Sequence, residues 1–178
     1  MKIKEYINDY LTGEKIEKTP EEPNRQLMLK MLHEDYGYPK ELMKEEFGVK
    51  RSPSDVKRSL PVDIAVFETV EDMKNRKPKI FVETKKPNYN LGKEQLKDYL
   101  MLERDTSFGV WYNGSNDDGQ TIAFLKKSFD NGVPKYQEIT DIPKHGFNDV
   151  SEEVKYSDLK PTSNLKTIWQ IVKFKLNI

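Results

Sequence analysis

The chain has no cysteine and only two histidines, His33 and His145. The first absence excludes disulfides and thiolate metal sites, and the second makes a histidine-rich zinc centre a poor fit. Any metal should be a hard cation bound through oxygen, which points to Mg²⁺, with Mn²⁺ as a substitute. Long apolar runs are also missing: none approaches the ~20 residues of a membrane span. The segment from Met1 to Tyr10 has neither the apolar core nor the cleavage pattern of a signal peptide. A cytoplasmic protein without a membrane partner is the expectation. Net charge is absent too, since 30 Lys and Arg balance 30 Asp and Glu. A domain that binds nucleic acid by bulk charge is usually basic. A nucleic-acid partner here therefore requires local positive charge, or charge from neighbouring domains.

What is present fits one globular domain over residues 1–178, in which charged residues (34%) nearly equal hydrophobic ones (35%). Thr19, Pro20, Glu21, Glu22 and Pro23 read as a helix start: Thr19 as cap, Pro20 in the first turn, the acids at the positive end of the dipole. Leu27 and Met31, with Met28 and Leu32, follow at helical spacing, and Gly37-Tyr38-Pro39 ends the run. Residues 41–49 fit either a strand or a short helix, and 52–59 read as a polar loop. Residues 60–67 and 79–85 are rich in β-branched and aromatic side chains and read as strands, joined by a charged connection over 68–78. Residues 91–104 are helical in pattern. Residues 107–112 and 121–125 read as strands around a turn at 113–119, residues 130–155 as irregular, and 159–178 as a terminal helix with Leu165, Ile168, Trp169, Val172 and Leu176 on one face. This order implies an α/β fold, a mixed sheet with helices on both faces.

Asp63 stands near the start of the first strong strand and Glu83 near the end of the next. If the two form a symmetrical hairpin centred on Met73, Asp63 lies opposite Glu83, with Cβ atoms ~5 Å apart. Two close anions repel unless a cation joins them. Lys85 shares the face of Glu83, while Ile64, Val66, Ile80 and Val82 read as core on the other. Paired carboxylates with a lysine suit phosphodiester hydrolysis: a divalent cation polarises the phosphate and acidifies water, and the ammonium orients that water or stabilises developing charge. The Thr84 carbonyl is a candidate further metal ligand. Gln95 and Tyr99, four apart on the next helix, share a face and are placed to hold a nucleotide or Lys85. On the first helix Glu22 is a candidate metal ligand, with Glu21 as the alternative, and Arg25 is suited to phosphate. Lys86 is a candidate DNA contact.

At these residues the chain resembles a known family. Pro61-Val62-Asp63 followed by Glu83-Thr84-Lys85 is similar to the PD-(D/E)xK motif, with Val62 inserted between the usual Pro and Asp. Gln95 to Tyr99 resembles the QxxxY motif of its RecB-like branch. Thr19 to Gln26, then Gly37-Tyr38-Pro39, resembles the start of the N-terminal nuclease domain of type I restriction enzyme R subunits, and Trp111-Tyr112-Asn113-Gly114 fits the strand and turn after that family's QxxxY helix. The resemblance covers roughly residues 5–125. It implies a restriction-endonuclease-like fold and Mg²⁺-dependent cleavage of double-stranded DNA. It also implies partners in a larger ATP-driven restriction machine: translocase, methyltransferase and specificity components. No phosphate-binding glycine-rich loop is present, so the chain is expected to be a fragment or a stand-alone relative. Two other readings stay open at this point: a catalytically silent DNA-binding or assembly module with the same fold, and a nuclease acting on RNA or branched DNA.

Overall fold

The runs rich in Val, Ile and Phe form the middle of the fold. A computed structural model describes residues 4–50, 60–87, 89, 91–114 and 122–150. In chain order these give β1 (Tyr6–Asn8), β2 (Lys15–Glu17), α1 (Glu22–Glu34), a 3₁₀ turn (Lys40–Leu42), β3 (Met43–Val49), β4 (Leu60–Val66), α2 (Val70–Lys74), β5 (Ile80–Thr84), α3 (Lys93–Leu102), β6 (Phe108–Tyr112), β7 (Ile122–Asp130) and β8 (Val133–Ile139). The chain divides into a unit ending at Asn148 and a second from Asp149 onward. The second lies almost wholly outside the described residues, as do the expected loop at 52–59, the turn beyond Gly114 and the terminal helix.

Strands β3 to β8 form one six-stranded sheet in chain order, and β1 and β2 a separate hairpin. The β5–β6 pair is parallel and the other pairs are antiparallel. This arrangement is the restriction-endonuclease-like mixed α/β sheet. Parallel neighbours need a crossover, and α3 supplies it between β5 and β6. Each face of the sheet carries its own core. Met28, Leu29 and Leu32 of α1 pack on Ile64, Val66, Ile80, Val82, Phe108 and Val110. Leu96, Tyr99 and Leu100 of α3 pack on Ala65, Phe81, Trp111 and Leu125. The alternation of the strands thus feeds two layers of helix, each burying apolar side chains worth about 1.5–3 kcal/mol apiece.

Several expectations change. Helix α1 starts at Glu22 with Pro23, not Pro20, in its first turn, although the Thr19 hydroxyl still accepts from the Glu22 amide. Its core face is Met28, Leu29 and Leu32, while Leu27 is half exposed. Residues 41–49 resolve into a 3₁₀ turn and a strand. The charged connection contains α2, capped by Thr69, whose hydroxyl accepts from the Asp72 amide. The stretch from Asp130 is not irregular throughout: β7 runs to Asp130 and turns into β8 through Asn131 and Gly132, both left-handed. Strand β8 has no buried face, so it lacks the hydrophobic alternation by which strands are read.

A candidate active site at the end of β4 and β5

The β4–β5 register is Ile64↔Val82, Ala65↔Phe81 and Val66↔Ile80, the one expected for a hairpin centred on Met73. Its continuation would pair Asp63 with Glu83, but the ladder stops one step earlier. Instead the Asp63 side chain replaces a backbone partner: its Oδ2 accepts from the Thr84 amide at 2.6 Å and from the Thr84 hydroxyl at 2.9 Å. On its other side, the β3–β4 ladder runs to Glu45↔Ile64, passes over Glu46 and Asp63, and resumes at Phe47↔Val62. Glu46 has φ 48° there, a conformation costly for a non-glycine residue. Across this break both strands change face. Ile64 packs in the α1 layer but Val62 in the α3 layer, although residues two apart on a regular strand share a face. Asp63 therefore sits at a half-pleat slip that frees its carboxylate from both ladders.

Glu83 stays on the α3 side and is nearly fully buried. Its Oε1 accepts from Lys85 Nζ at 2.5 Å, whereas its buried Oε2 has no hydrogen-bond partner among the described residues. Burial, together with the charge of Asp63, pushes the Glu83 carboxyl up to about 7; Lys85 opposes this and Glu21 adds to it. Burial works against the Lys85 ammonium, but its bond to Glu83 and the charges of Glu83, Asp63 and Glu21 prevail and raise its pKa. Lys85 Nζ also donates to Gln95 Oε1 at 3.4 Å, Gln95 Nε2 donates to the Tyr99 hydroxyl at 2.7 Å, and that hydroxyl donates to the Pro61 carbonyl at 3.0 Å. One polar chain thus joins α3 to both strands around Asp63 and Glu83. Gly92, with φ +113°, leaves room for it: a Cβ there would stand 2.6 Å from Lys85 Cε.

From α1, Arg25 spreads over Asp63 (3.4 Å), Glu22 (3.5 Å) and Glu46 (3.6 Å). Among the described residues Glu22 is joined to Asp63 through Arg25, and its own Oε1 accepts from Gln26 Nε2 at 2.9 Å. Of the candidate acids Glu21, at the N-cap of α1, and Glu22, Glu21 is the one whose charge acts on Glu83 and Lys85. Lys86 is exposed at the rim, its ammonium 5.6 Å from the Tyr89 ring centroid.

Two features escaped sequence reasoning. Asn24, buried, donates from Nδ2 to the Lys85 carbonyl at 2.7 Å and fixes the backbone just beyond the site. No motif marks it, because a lone Asn in a helix carries no pattern. The other is an acidic pair behind Arg25: Gln26 Nε2 also lies 3.3 Å from both Asp9 and Glu45. Burial and the neighbouring Asp9 push the Glu45 carboxyl up to about 8.

The donor set suits a hard cation. Glu83 Oε2 is a buried carboxylate oxygen without a partner among the described residues, beside a second carboxylate on Asp63. Among the described residues no group of three or more Asp, Glu or His side chains converges as a metal cage. Mg²⁺ does not require one, since it is commonly held by one or two carboxylates with water completing the shell. These residues therefore fit such an ion.

Fold and site together define a restriction-endonuclease-like α/β domain with acids and a lysine gathered where two central strands part. The family described as the type I restriction enzyme R protein N terminus (HSDR_N) matches residues 20–143, and the chain belongs to it. No curated protein and no solved structure matches the chain. No helix among the described residues is long and apolar enough to cross a membrane.

Proposed function

We propose that this chain is a metal-dependent DNA endonuclease domain of a type I-like restriction-modification system. The observation that carries the reading is the convergence of Asp63, Glu83 and Lys85, with one oxygen of buried Glu83 left unbonded. Asp63, Glu83 and the Thr84 carbonyl would hold Mg²⁺ or Mn²⁺, with Glu22 or Glu21 reaching in from α1. When bound, the ion supplies charge neutralisation at the phosphate and a lowered pKa for the attacking water. The Lys85 ammonium, steadied by Gln95, would orient that water or meet charge that grows in the transition state. Tyr99 holds the Pro61 carbonyl and so the strand that carries Asp63. Arg25 exchanges its carboxylate partners for a substrate phosphate, to which its planar fork is well matched, and Lys86 contacts the DNA backbone. The expected partners are double-stranded DNA and the translocase, methyltransferase and specificity components of such a system, in the cytoplasm.

The test is cleavage of supercoiled plasmid with Mg²⁺ by the wild type and by Asp63→Ala, Glu83→Ala and Lys85→Ala, each shown to be folded by circular dichroism. All three variants should lose cleavage. Full activity in folded Glu83→Ala would overturn the assignment. RNA and branched DNA offered in parallel decide whether linear duplex is the substrate.

A further inference from the structure

We propose that Leu91 and Tyr89 are substrate-contacting residues that press into an unstacked base step of duplex DNA beside the scissile phosphate. The inference rests on the nuclease reading above and names how that site takes hold of its substrate. Leu91 is 68% exposed and Tyr89 38% exposed. A single exposed apolar side chain means little by itself. Here the backbone that carries these two is pinned at successive points. Trp111 Nε1 donates to the Leu91 carbonyl at 3.2 Å and Asn113 Nδ2 to the Tyr89 carbonyl at 3.4 Å. The Tyr89 amide donates to the Lys86 carbonyl at 3.2 Å, and Asn24 holds the Lys85 carbonyl. The Leu91 carbonyl and the Tyr89 carbonyl and amide are thus satisfied within the protein while the two large apolar side chains stay exposed.

The pinning also locates them. Trp111 is the register partner of Glu83, so the hydrogen bond to Leu91 is made by the residue beside the central carboxylate. Gly92 packs on the Lys85 side chain, which puts Leu91 one residue from a contact with that lysine. The Lys86 ammonium near the Tyr89 ring places a cation next to an aromatic face, matching the alternation of phosphate and base along a strand. Aliphatic wedges at base steps unstack and kink duplexes, and aromatic faces stack on any base without reading its sequence. A wedge at this rim turns the scissile phosphate toward Glu83 and Lys85 and favours flexible pyrimidine–purine steps, which kink most easily.

The test uses the full chain and a short duplex with 2-aminopurine at its TA steps, whose fluorescence rises on unstacking. Binding is read with Ca²⁺ and cleavage with Mg²⁺. Wild type should raise the fluorescence, and the double variant Leu91→Ser/Tyr89→Ala should not. The double variant should lose roughly tenfold more activity on fully paired duplex than on a duplex already unstacked by a mismatch, and Leu91→Met, with Tyr89 in place, should keep both readouts at the wild-type level. Wild-type cleavage without a fluorescence change, or equal losses on the two substrates, overturns the wedge and leaves the nuclease reading standing. A wild-type chain that neither binds nor cuts duplex overturns both.

Discussion

The coupling between Asn24 and Gly114 offers the sharpest test of how the site is held. Gly114 has φ +71°, and a Cβ built on it would stand 2.0 Å from Asn24 Oδ1. In Gly114→Ala the left-handed backbone alone costs about 1–2 kcal/mol. The new methyl also drives Asn24 off the Lys85 carbonyl, and an orphaned carbonyl costs about 1–3 kcal/mol more. Asn24→Ala removes that bond directly, at about the same 1–3 kcal/mol. Once Asn24 is gone, Gly114→Ala has only the backbone strain left to add. The two substitutions should therefore be non-additive by the energy of the shared bond, on the order of 1–3 kcal/mol. Urea unfolding of wild type, both single variants and the double variant gives this coupling directly. Losses that add to within about 0.5 kcal/mol would show that Asn24 and Gly114 do not meet and would refute the reasoning. Because the bond ends on the Lys85 carbonyl, Asn24→Ala should also slow cleavage per folded molecule.

Further outcomes follow from other contacts. Cleavage should need Mg²⁺ or Mn²⁺, stop in EDTA, and not be supported by Ca²⁺, which takes a larger and looser shell; equal plasmid cutting in EDTA and in Mg²⁺ would refute the metal role. Tyr99→Phe loses the hydroxyl shared with Gln95 and Pro61, so urea unfolding should show a loss of about 1 kcal/mol and a plasmid assay a larger fall in turnover than in substrate affinity. Lys127, buried, donates to the carbonyls of Leu100 (2.8 Å), Glu103 (2.5 Å) and Arg104 (3.1 Å). Lys127→Met strips these carbonyls at the end of α3 and should cost about 2–4 kcal/mol by thermal unfolding. The Glu45 carboxyl, pushed up to about 8 by burial and by Asp9, binds its proton more tightly folded than unfolded. Its contribution to stability is complete below the unfolded carboxylate range and is lost as pH rises toward about 8; Glu45→Gln should flatten the unfolding free energy over that window.

How much of this was legible in the sequence depends on whether a residue's role is local or depends on where separate strands meet. Strands β4 and β5 were legible because Ile64, Val66, Ile80 and Val82 alternate with a second set facing α3, and their register followed from the symmetry of the connection about Met73. Gln95 and Tyr99 were legible as one face of α3 because helical spacing fixes it. The β1–β2 hairpin and β8 were not, since their short, mostly exposed strands bury too little to leave a pattern. At the site the same division holds. A regular antiparallel pair would have set Asp63 squarely against Glu83, and alternation gave no sign that it would be otherwise. The departure falls opposite Glu46, a residue on a third strand whose left-handed backbone cannot be read from its identity. At this slip β4 changes face, the β4–β5 ladder ends before Glu83, and Asp63 has one oxygen for Thr84 and the other toward Arg25. Alternation that places a carboxylate inside a ladder would confine it to one face of the sheet. A break in the ladder puts it between the α1 and α3 layers, where Arg25 from one and Lys85, steadied by the other, meet around it. The arrangement that makes the site follows from this break, and it could be seen only when the strands were paired.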